Sequence, residues 1–303
     1  MRLSVPRLTT AAGVAALVAA FLIPAQPAAA DPPGVLAAYA ASLAMPEASP
    51  PGANDWSCVP SAAHPRPVVL IHGTAENAYA NWQALSPKLK LAGYCVFAVN
   101  FGATTGNAVK GMGDIPTSAA ALGAFVDQVR TSTGAAKVDL VGHSQGGGIM
   151  PRWYLKFNGG AAKVNRLVGI SPSNHGTNVL GLTYVLSALQ LMNPLGTFTG
   201  PALAQQAAGS DTNAILDSGG DTVAGVAYTT IVSQYDEVVT PYQNQYLSGP
   251  SVTNILLQNL CALDLVDHLG SAYDPIAIRL VLNALDPSTA VAPVCQLVLP
   301  VLS

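Results

Sequence analysis

The stretch Gly142-His143-Ser144-Gln145-Gly146 directly follows the apolar run Val138-Asp139-Leu140-Val141, a placement that suits nucleophilic chemistry. When a strand runs through a tight turn into a helix, the central serine is held in a strained backbone region and its hydroxyl is lifted above the sheet. The flanking glycines are required because a side chain there would strike the neighbouring strand or helix. A bare G-x-S-x-G arises by chance in a chain with 28 glycines. Here the strand before it and Gly146-Gly147-Gly148-Ile149 behind it give the pattern physical meaning, and Ser144 is the expected nucleophile.

A serine hydroxyl is a weak nucleophile at neutral pH and needs a general base, which in turn needs an orienting acid. Five histidines compete for the base. His64 precedes the first strand, and His72 ends that strand and points into the turn. His143 adjoins Ser144, but the elbow turns its side chain away from the hydroxyl and marks it as a bystander. His175, in Ser173-Asn174-His175-Gly176-Thr177, follows a central strand, lines the expected cleft and is the fallback. In folds built on this elbow the chain order is serine, acid, histidine, with the histidine after the final strand. His268, in Leu265-Val266-Asp267-His268-Leu269-Gly270, meets that rule. For the acid, the apolar strand at Ile231-Val232 runs out into Asp236, level with the nucleophile, and Glu237 and Asp267 are the alternatives. Asp211, Asp217 and Asp221 lie in a Gly/Ser-rich loop and read as turn formers.

The tetrahedral intermediate of acyl transfer carries an oxyanion, which needs preorganised donors. One is the expected backbone amide of Gln145. The other comes from His72-Gly73-Thr74 after the first strand, where Gly73 permits close approach and Thr74 offers its amide and its hydroxyl.

The elements that must position these groups follow from periodicity. Strands are expected over Pro67–Ile71, Tyr94–Asn100, Lys137–Val141, Asn165–Ser171, Ala227–Gln234 and Thr253–Gln258. Leu122, Phe125, Val126 and Val129 recur at helical spacing within a helix over Thr117–Thr131. Further helices are expected over Gln145–Phe157 and Tyr273–Leu285. Pro151 either kinks the first of these or marks its true first turn. Residues 31–56, rich in Ala and Pro, are expected to wrap the surface. Strands alternating with helices predict an α/β fold with a mostly parallel sheet covered on both faces.

From Leu167 through Ser210 no Asp, Glu, Lys or Arg occurs. Leu182, Val185, Leu186 and Leu189 follow the i, i+3, i+4, i+7 spacing of an apolar helix face. Two readings stay open: a core helix with its connections, or an apolar cap-like excursion over the catalytic edge that binds the acyl chain.

Only 10% of the 303 residues are charged and 50% are hydrophobic, which predicts a large core. The formal charge of −3 and the lack of any Lys/Arg run argue against a nucleic-acid partner. Arg2 and Arg7, an apolar centre from Ala11 to Pro24 and Ala28-Ala29-Ala30 form a signal-peptide pattern over residues 1–30 with cleavage near Ala30. The apolar run is shorter than the ~20 residues a bilayer span needs, and Pro24 and Pro27 close it. Loss of Arg2 and Arg7 with no acidic residue takes the charge from −3 to −5. Residues 31–303 then suit a single catalytic domain, secreted and monomeric. Cys58, Cys95, Cys261 and Cys295, an even set in an exported chain, read as two disulfides. Of three connectivities, the near-neighbour pairs Cys58–Cys95 and Cys261–Cys295 are the simplest. Their spacings resemble no zinc site, and no metal is expected.

Val69-Leu70-Ile71-His72-Gly73-Thr74, Gly142-His143-Ser144-Gln145-Gly146-Gly147, Tyr235-Asp236-Glu237-Val238-Val239-Thr240-Pro241 and Asp267-His268 together resemble the secreted bacterial triacylglycerol lipases of class 2 type, in the α/β-hydrolase superfamily. The resemblance runs in order through roughly residues 58–285. It implies a reduced α/β-hydrolase fold lacking the first antiparallel strands, and carboxylic ester hydrolysis without metal or organic cofactor. Position by position, it implies Ser144 as nucleophile, Asp236 as acid, His268 as base, and Thr74 with Gln145 as oxyanion donors. The expected partner is a lipid or other apolar ester, met at a lipid–water interface. Acyl transfer, polyester or cutin depolymerisation, and a non-catalytic lipid-binding relative are the other functions weighed.

Overall fold

Among the described residues six strands pair in the order β2-β1-β3-β4-β5-β6: β1 (Val68–Ile71), β2 (Val96–Val99), β3 (Val138–His143), β4 (Val164–Ile170), β5 (Ala227–Val232) and β6 (Val252–Leu256). Every pairing is parallel. The computed structural model describes residues 34–178, 180, 181, 183, 184, 187, 190 and 199–301, and residues 32–303 form one compact unit. The expected signal peptide, residues 1–30, lies outside the described residues.

Alternation along each strand assigns its side chains to the two faces. Val68, Leu70, Val141, Ile170 and Ile231 face a core completed by α2 (Leu85–Leu91) and by a C-terminal helix, Pro275–Leu285, through Leu85, Leu89, Ile276, Val281 and Leu285. Val69, Ile71, Phe97, Val99 and Leu140 face the other core. There α3 (Ile115–Thr133) contributes Leu122, Val126 and Val129, and α4 (Ile149–Phe157) contributes Ile149, Met150 and Tyr154. Both faces are thus apolar, as an all-parallel sheet requires. The helix start at Ile115 has a local cause: Asp114 Oδ1 accepts from Thr117 N at 2.8 Å, and Gly134 ends the helix at a φ of 69°.

The remaining expectations are resolved by hydrogen bonding. Ser144–Gly147 form a 3-10 turn, and α4 starts only at Ile149. Pro151 therefore sits in the first helical turn, where amides have no partner within the helix, and it breaks no bond. The expected strand over Thr253–Gln258 leaves the sheet after Leu256 and closes a helical turn, Leu257–Leu260. The supposed loop carrying Asp211 and Asp217 is α5 (Asp211–Asp217), capped by Ser210 and burying Thr212, Asn213 and Leu216. Residues 31–56 contain α1 (Val35–Ala44), and then Asn54 pads the edge of β2: its amide donates to Val96 O at 2.9 Å and its side chain brackets Ala98. The helix at Pro275–Leu285 is α6, with both Asp274 carboxylate oxygens accepting first-turn amides. Both near-neighbour disulfides are formed, Cys58–Cys95 and Cys261–Cys295. Among the described residues no helix is long and apolar enough to cross a membrane.

The turn after β3 has no spare volume. A Cβ on Gly142 would lie 1.7 Å from Gly146 O, against backbone that cannot yield. Gly142→Ala is expected to cost about 3 kcal/mol or more of unfolding free energy, measured by urea denaturation. A variant as stable as the parent would show that the turn can open.

Candidate active site

Ser144 occupies the left-handed region at a φ of 54°, rare for a residue with a side chain. It is held there by close backbone approach: a Cβ on Gly146 would lie 2.3 Å from both Ile71 O and His72 O. The turn is therefore wedged against the end of β1. Gln145 N lies in the first turn of Ser144–Gly147, where amides lack helical partners.

Of the acid candidates, Asp236 is the one bonded to the His268 imidazole, Oδ2 to Nδ1 at 2.7 Å. Asp236 Oδ1 accepts from Val238 N at 2.9 Å and Val239 N at 2.7 Å, and Oδ2 also accepts from Gln245 Nε2 at 3.0 Å. Glu237 instead accepts from the His268 backbone amide at 3.3 Å, and burial pushes its carboxyl up to about 7. Asp267 accepts from Gly270 N and Val301 N, both at 2.7 Å, and shapes the loop. Burial opposes a charge on His268, but Asp236, Glu237 and Glu76 outweigh it and hold the imidazole above its ordinary value.

Thr74 stands at the mouth of β1 with its hydroxyl oxygen accepting two side-chain amides, Gln206 Nε2 at 2.8 Å and Gln145 Nε2 at 3.2 Å. Carbonyl acceptors fix both amides: Ala202 O for Gln206 and Gly111 O for Gln145. A threonine hydroxyl has two lone pairs and one proton. With both lone pairs engaged, the proton is left for a third partner. Gln206 and Gln245 carry no motif signal; both are remote in sequence from the groups they touch, and sequence reasoning missed them.

The other histidines are committed elsewhere. His64 stacks on Tyr94 at 3.9 Å between ring centroids. His72 stacks on Phe101, and burial lowers its pKa to about 4, so it is neutral. His143, expected to turn away from the Ser144 hydroxyl, has its Nε2 3.0 Å from the main-chain carbonyl oxygen of His268. The sequence placed His175 in the cleft. In the structure its Nδ1 lies 2.9 Å from Asp217 Oδ2 and its Nε2 3.6 Å from Asp221 Oδ2, while Arg152 Nη2 reaches the other oxygens at 3.1 and 3.3 Å. Asp217 and Asp221 are ion-pair partners rather than turn formers. The ligand atoms of His175, Asp217 and Asp221 lie within 4.8 Å of one another, close enough to gather around a cation, but the Arg152 guanidinium already pairs with both carboxylates.

Leu182, Val185, Leu186 and Leu189 lie outside the described residues. The described residues Leu180, Gly181, Thr183, Tyr184, Ser187 and Gln190 are helical. The described parts of the uncharged segment are bonded to two different loops of the candidate site. At its start Asn178 N donates to Thr240 O at 3.2 Å, and a Cβ on Gly181 would lie 2.0 Å from Val238 O. At its return Ala202 N donates to Met112 O at 3.3 Å, and Gln206 reaches Thr74.

Residues 65–199 match the family model described as Lipase (class 2). Over this segment the chain is similar to the class 2 lipases. It is 38% identical over 92 residues to a triacylglycerol lipase of Pseudarthrobacter phenanthrenivorans, an alignment covering 28% of this chain and 27% of that protein. A triacylglycerol lipase of Burkholderia plantarii is likewise 38% identical over 92 residues, 28% of this chain and 24% of its own length. The chain thus aligns with about a quarter of the length of these curated relatives. Among solved structures, Aspergillus fumigatus lipase B superposes with a TM-score of 0.63 and 25% identity, covering 81% of this chain and 56% of that one. A Bacillus licheniformis lipase in mature form gives a TM-score of 0.55 at 18% identity, covering 75% and 94%. These neighbours share the α/β-hydrolase fold.

The His175 cluster has a pH signature. Its hydrogen bonds to the Asp217 and Asp221 carboxylates raise its pKa from 6.5 to about 9. Because the folded value is the higher one, the stabilisation is fully present below pH 6.5 and is lost as pH rises through about 9. His175→Gln is expected to cost about 1–2 kcal/mol at pH 6, allowing for solvent screening, and much less near pH 10. Urea denaturation of both proteins at the two pH values checks this; an equal difference at both would overturn it.

Proposed function

We propose that this chain is a secreted carboxylic ester hydrolase, a triacylglycerol lipase or esterase acting through an acyl-enzyme. The observation that carries the reading is the buried 2.7 Å bond between Asp236 and His268 Nδ1. That bond requires the Nδ1–H tautomer, and leaves Nε2 as the basic nitrogen of the loop that faces the elbow. His268 takes the proton of the Ser144 hydroxyl as its oxygen bonds to the ester carbonyl carbon. The carbonyl oxygen becomes an oxyanion, met by the amides of Thr74 and Gln145 and by the free Thr74 hydroxyl proton. Collapse of the intermediate expels the alcohol, which takes the proton from His268. Water, deprotonated by the same imidazole, then releases the acid and restores the hydroxyl. Asp236 stabilises the imidazolium formed in each half-reaction.

The anchoring of residues 177–206 on the acid loop at one end and on the Thr74 loop at the other supports the cap-like reading of the uncharged segment, and with it an apolar acyl chain. Two disulfides suit an oxidising compartment, in keeping with a cleaved leader over residues 1–30 and a catalytic domain over 31–303.

Ser144→Ala is expected to abolish hydrolysis of chromogenic acyl esters while leaving the fold intact by circular dichroism; substantial residual turnover would sink the assignment. In an acyl-chain series with the parent enzyme, kcat/KM is expected to hold or rise beyond butyryl, and a steep preference for acetyl and butyryl would count against a lipid substrate. Thr74→Val removes the hydroxyl donor at similar volume and is expected to lower kcat by about 100-fold with little change in KM. An unchanged kcat would remove the hydroxyl from the oxyanion site.

A further inference from the structure

Two buried side chains outside the Ser144–His268–Asp236 set connect the groups assigned to catalysis. His143, 1% exposed, directs Nε2 at the main-chain carbonyl of His268 at 3.0 Å and Nδ1 at Glu76 Oε2 at 3.2 Å. Glu76, 5% exposed, uses that same Oε2 to accept from Gly73 N at 3.0 Å. Burial works against the Glu76 charge, but His143 holds its carboxyl below the ordinary range, and Oε2 accepts from Gly73 N. Asn81 Nδ2, 3.1 Å from His143 Nδ1, is the amide donor to that nitrogen. A carbonyl oxygen offers only lone pairs, so His143 Nε2 must be the donor in its bond to residue 268. The packing leaves little slack. A Cβ on Gly73 would lie 2.6 Å from Glu76 Oε2 and 3.2 Å from both His143 Nδ1 and Ser144 Cβ. Asn81 Oδ1 backs the Gly73 amide at 3.2 Å, and Ser271 Oγ backs the His268 carbonyl at 2.7 Å.

We propose that Glu76 and His143 are a positioning couple that fixes the register between the Gly73–Thr74 donor loop and the main chain of His268, with Ser144 joined directly to His143 in the chain. One carboxylate oxygen holds the donor loop, and one rigid ring carries the connection to the base. The three groups that must meet a single acyl carbon sit on segments far apart in sequence, and misplacement of such groups by about 1 Å can cost on the order of 100-fold in rate. Neither residue touches substrate. The inference rests on the ester hydrolase reading above.

The test compares Glu76→Gln, which keeps shape and removes the charge, with His143→Phe, which keeps a ring and removes both contacts, and His143→Gln, which returns a donor. The active serine in each is counted by stoichiometric phosphonate labelling. Glu76→Gln and His143→Phe are expected to lower kcat per labelled serine by about 10- to 100-fold with KM within about twofold, and His143→Gln to recover part of the loss. The low-field proton resonance of the His268 Nδ1–H···Asp236 bond is expected to shift or broaden in His143→Phe and to return toward its parent position in His143→Gln. That resonance needs no turnover, so it reads the couple even if the parent hydrolyses no ester, an outcome that would defeat the functional reading alone. Should His143→Phe fail to fold, Glu76→Gln and His143→Gln carry the comparison. Parent-like kcat per labelled serine and an unmoved resonance in the folded variants would overturn the couple, as would a loss confined to the labelled fraction.

Discussion

Close backbone approach at the carboxyl edge of β1 and β3 is the constraint on which the rest of the structure depends. Gly146 leaves no room for a Cβ against Ile71 O and His72 O, and Gly142 leaves none against Gly146 O. The left-handed backbone at Ser144 survives because this contact over-determines it. A turn held this tightly sets Ser144 beside the Gly73–Thr74 loop, where a Cβ on Gly73 would lie 3.2 Å from Ser144 Cβ. The parallel sheet serves it by delivering β1 and β3 as neighbours in register, with Ile71 opposite Gly142.

Packing backbone this closely leaves many polar groups out of water. His72, Glu76, Asn81, His143, Asp236 and Gln245 are all buried around the turn. An unpaired group in such surroundings is costly, whereas a paired one is rigid. Asp236 shows the second case: two backbone amides, an amide side chain and an imidazole surround its carboxylate. The same logic joins Glu76 to Gly73 and His143. Polar burial here orients groups whose relative placement matters.

Farther out, α4 is locked at its far side by charge. Arg152 bridges Asp217 and Asp221, and Lys156 Nζ donates to the carbonyls of Leu216 at 2.6 Å, Ser218, and Gly220 at 3.2 Å. The helix that follows Ser144 is thus pinned through the 216–221 segment. Within the uncharged residues 167–210, Asn178 is bonded to Thr240 of the loop after β5 and Gln206 to Thr74.

Much of this was legible in the sequence. Strand and helix periods, the elbow pentapeptide, the chain order of Ser144, Asp236 and His268, and the near-neighbour cysteine pairs are local patterns or short-range order, which a linear chain records directly. Other features are absent from any local window. Whether Pro151 kinked a helix or opened one depended on where the turn at Ser144–Gly147 ended. His143 read as a bystander because its partners, Glu76 and the carbonyl of His268, are 67 and 125 residues away. Gln206, 132 residues from Thr74, carried no motif at all. The sequence by itself determined the kinds of groups available for the chemistry and their order; the tertiary structure alone decided which buried donor meets which acceptor, because hydrogen bonding is set by distance and direction in space.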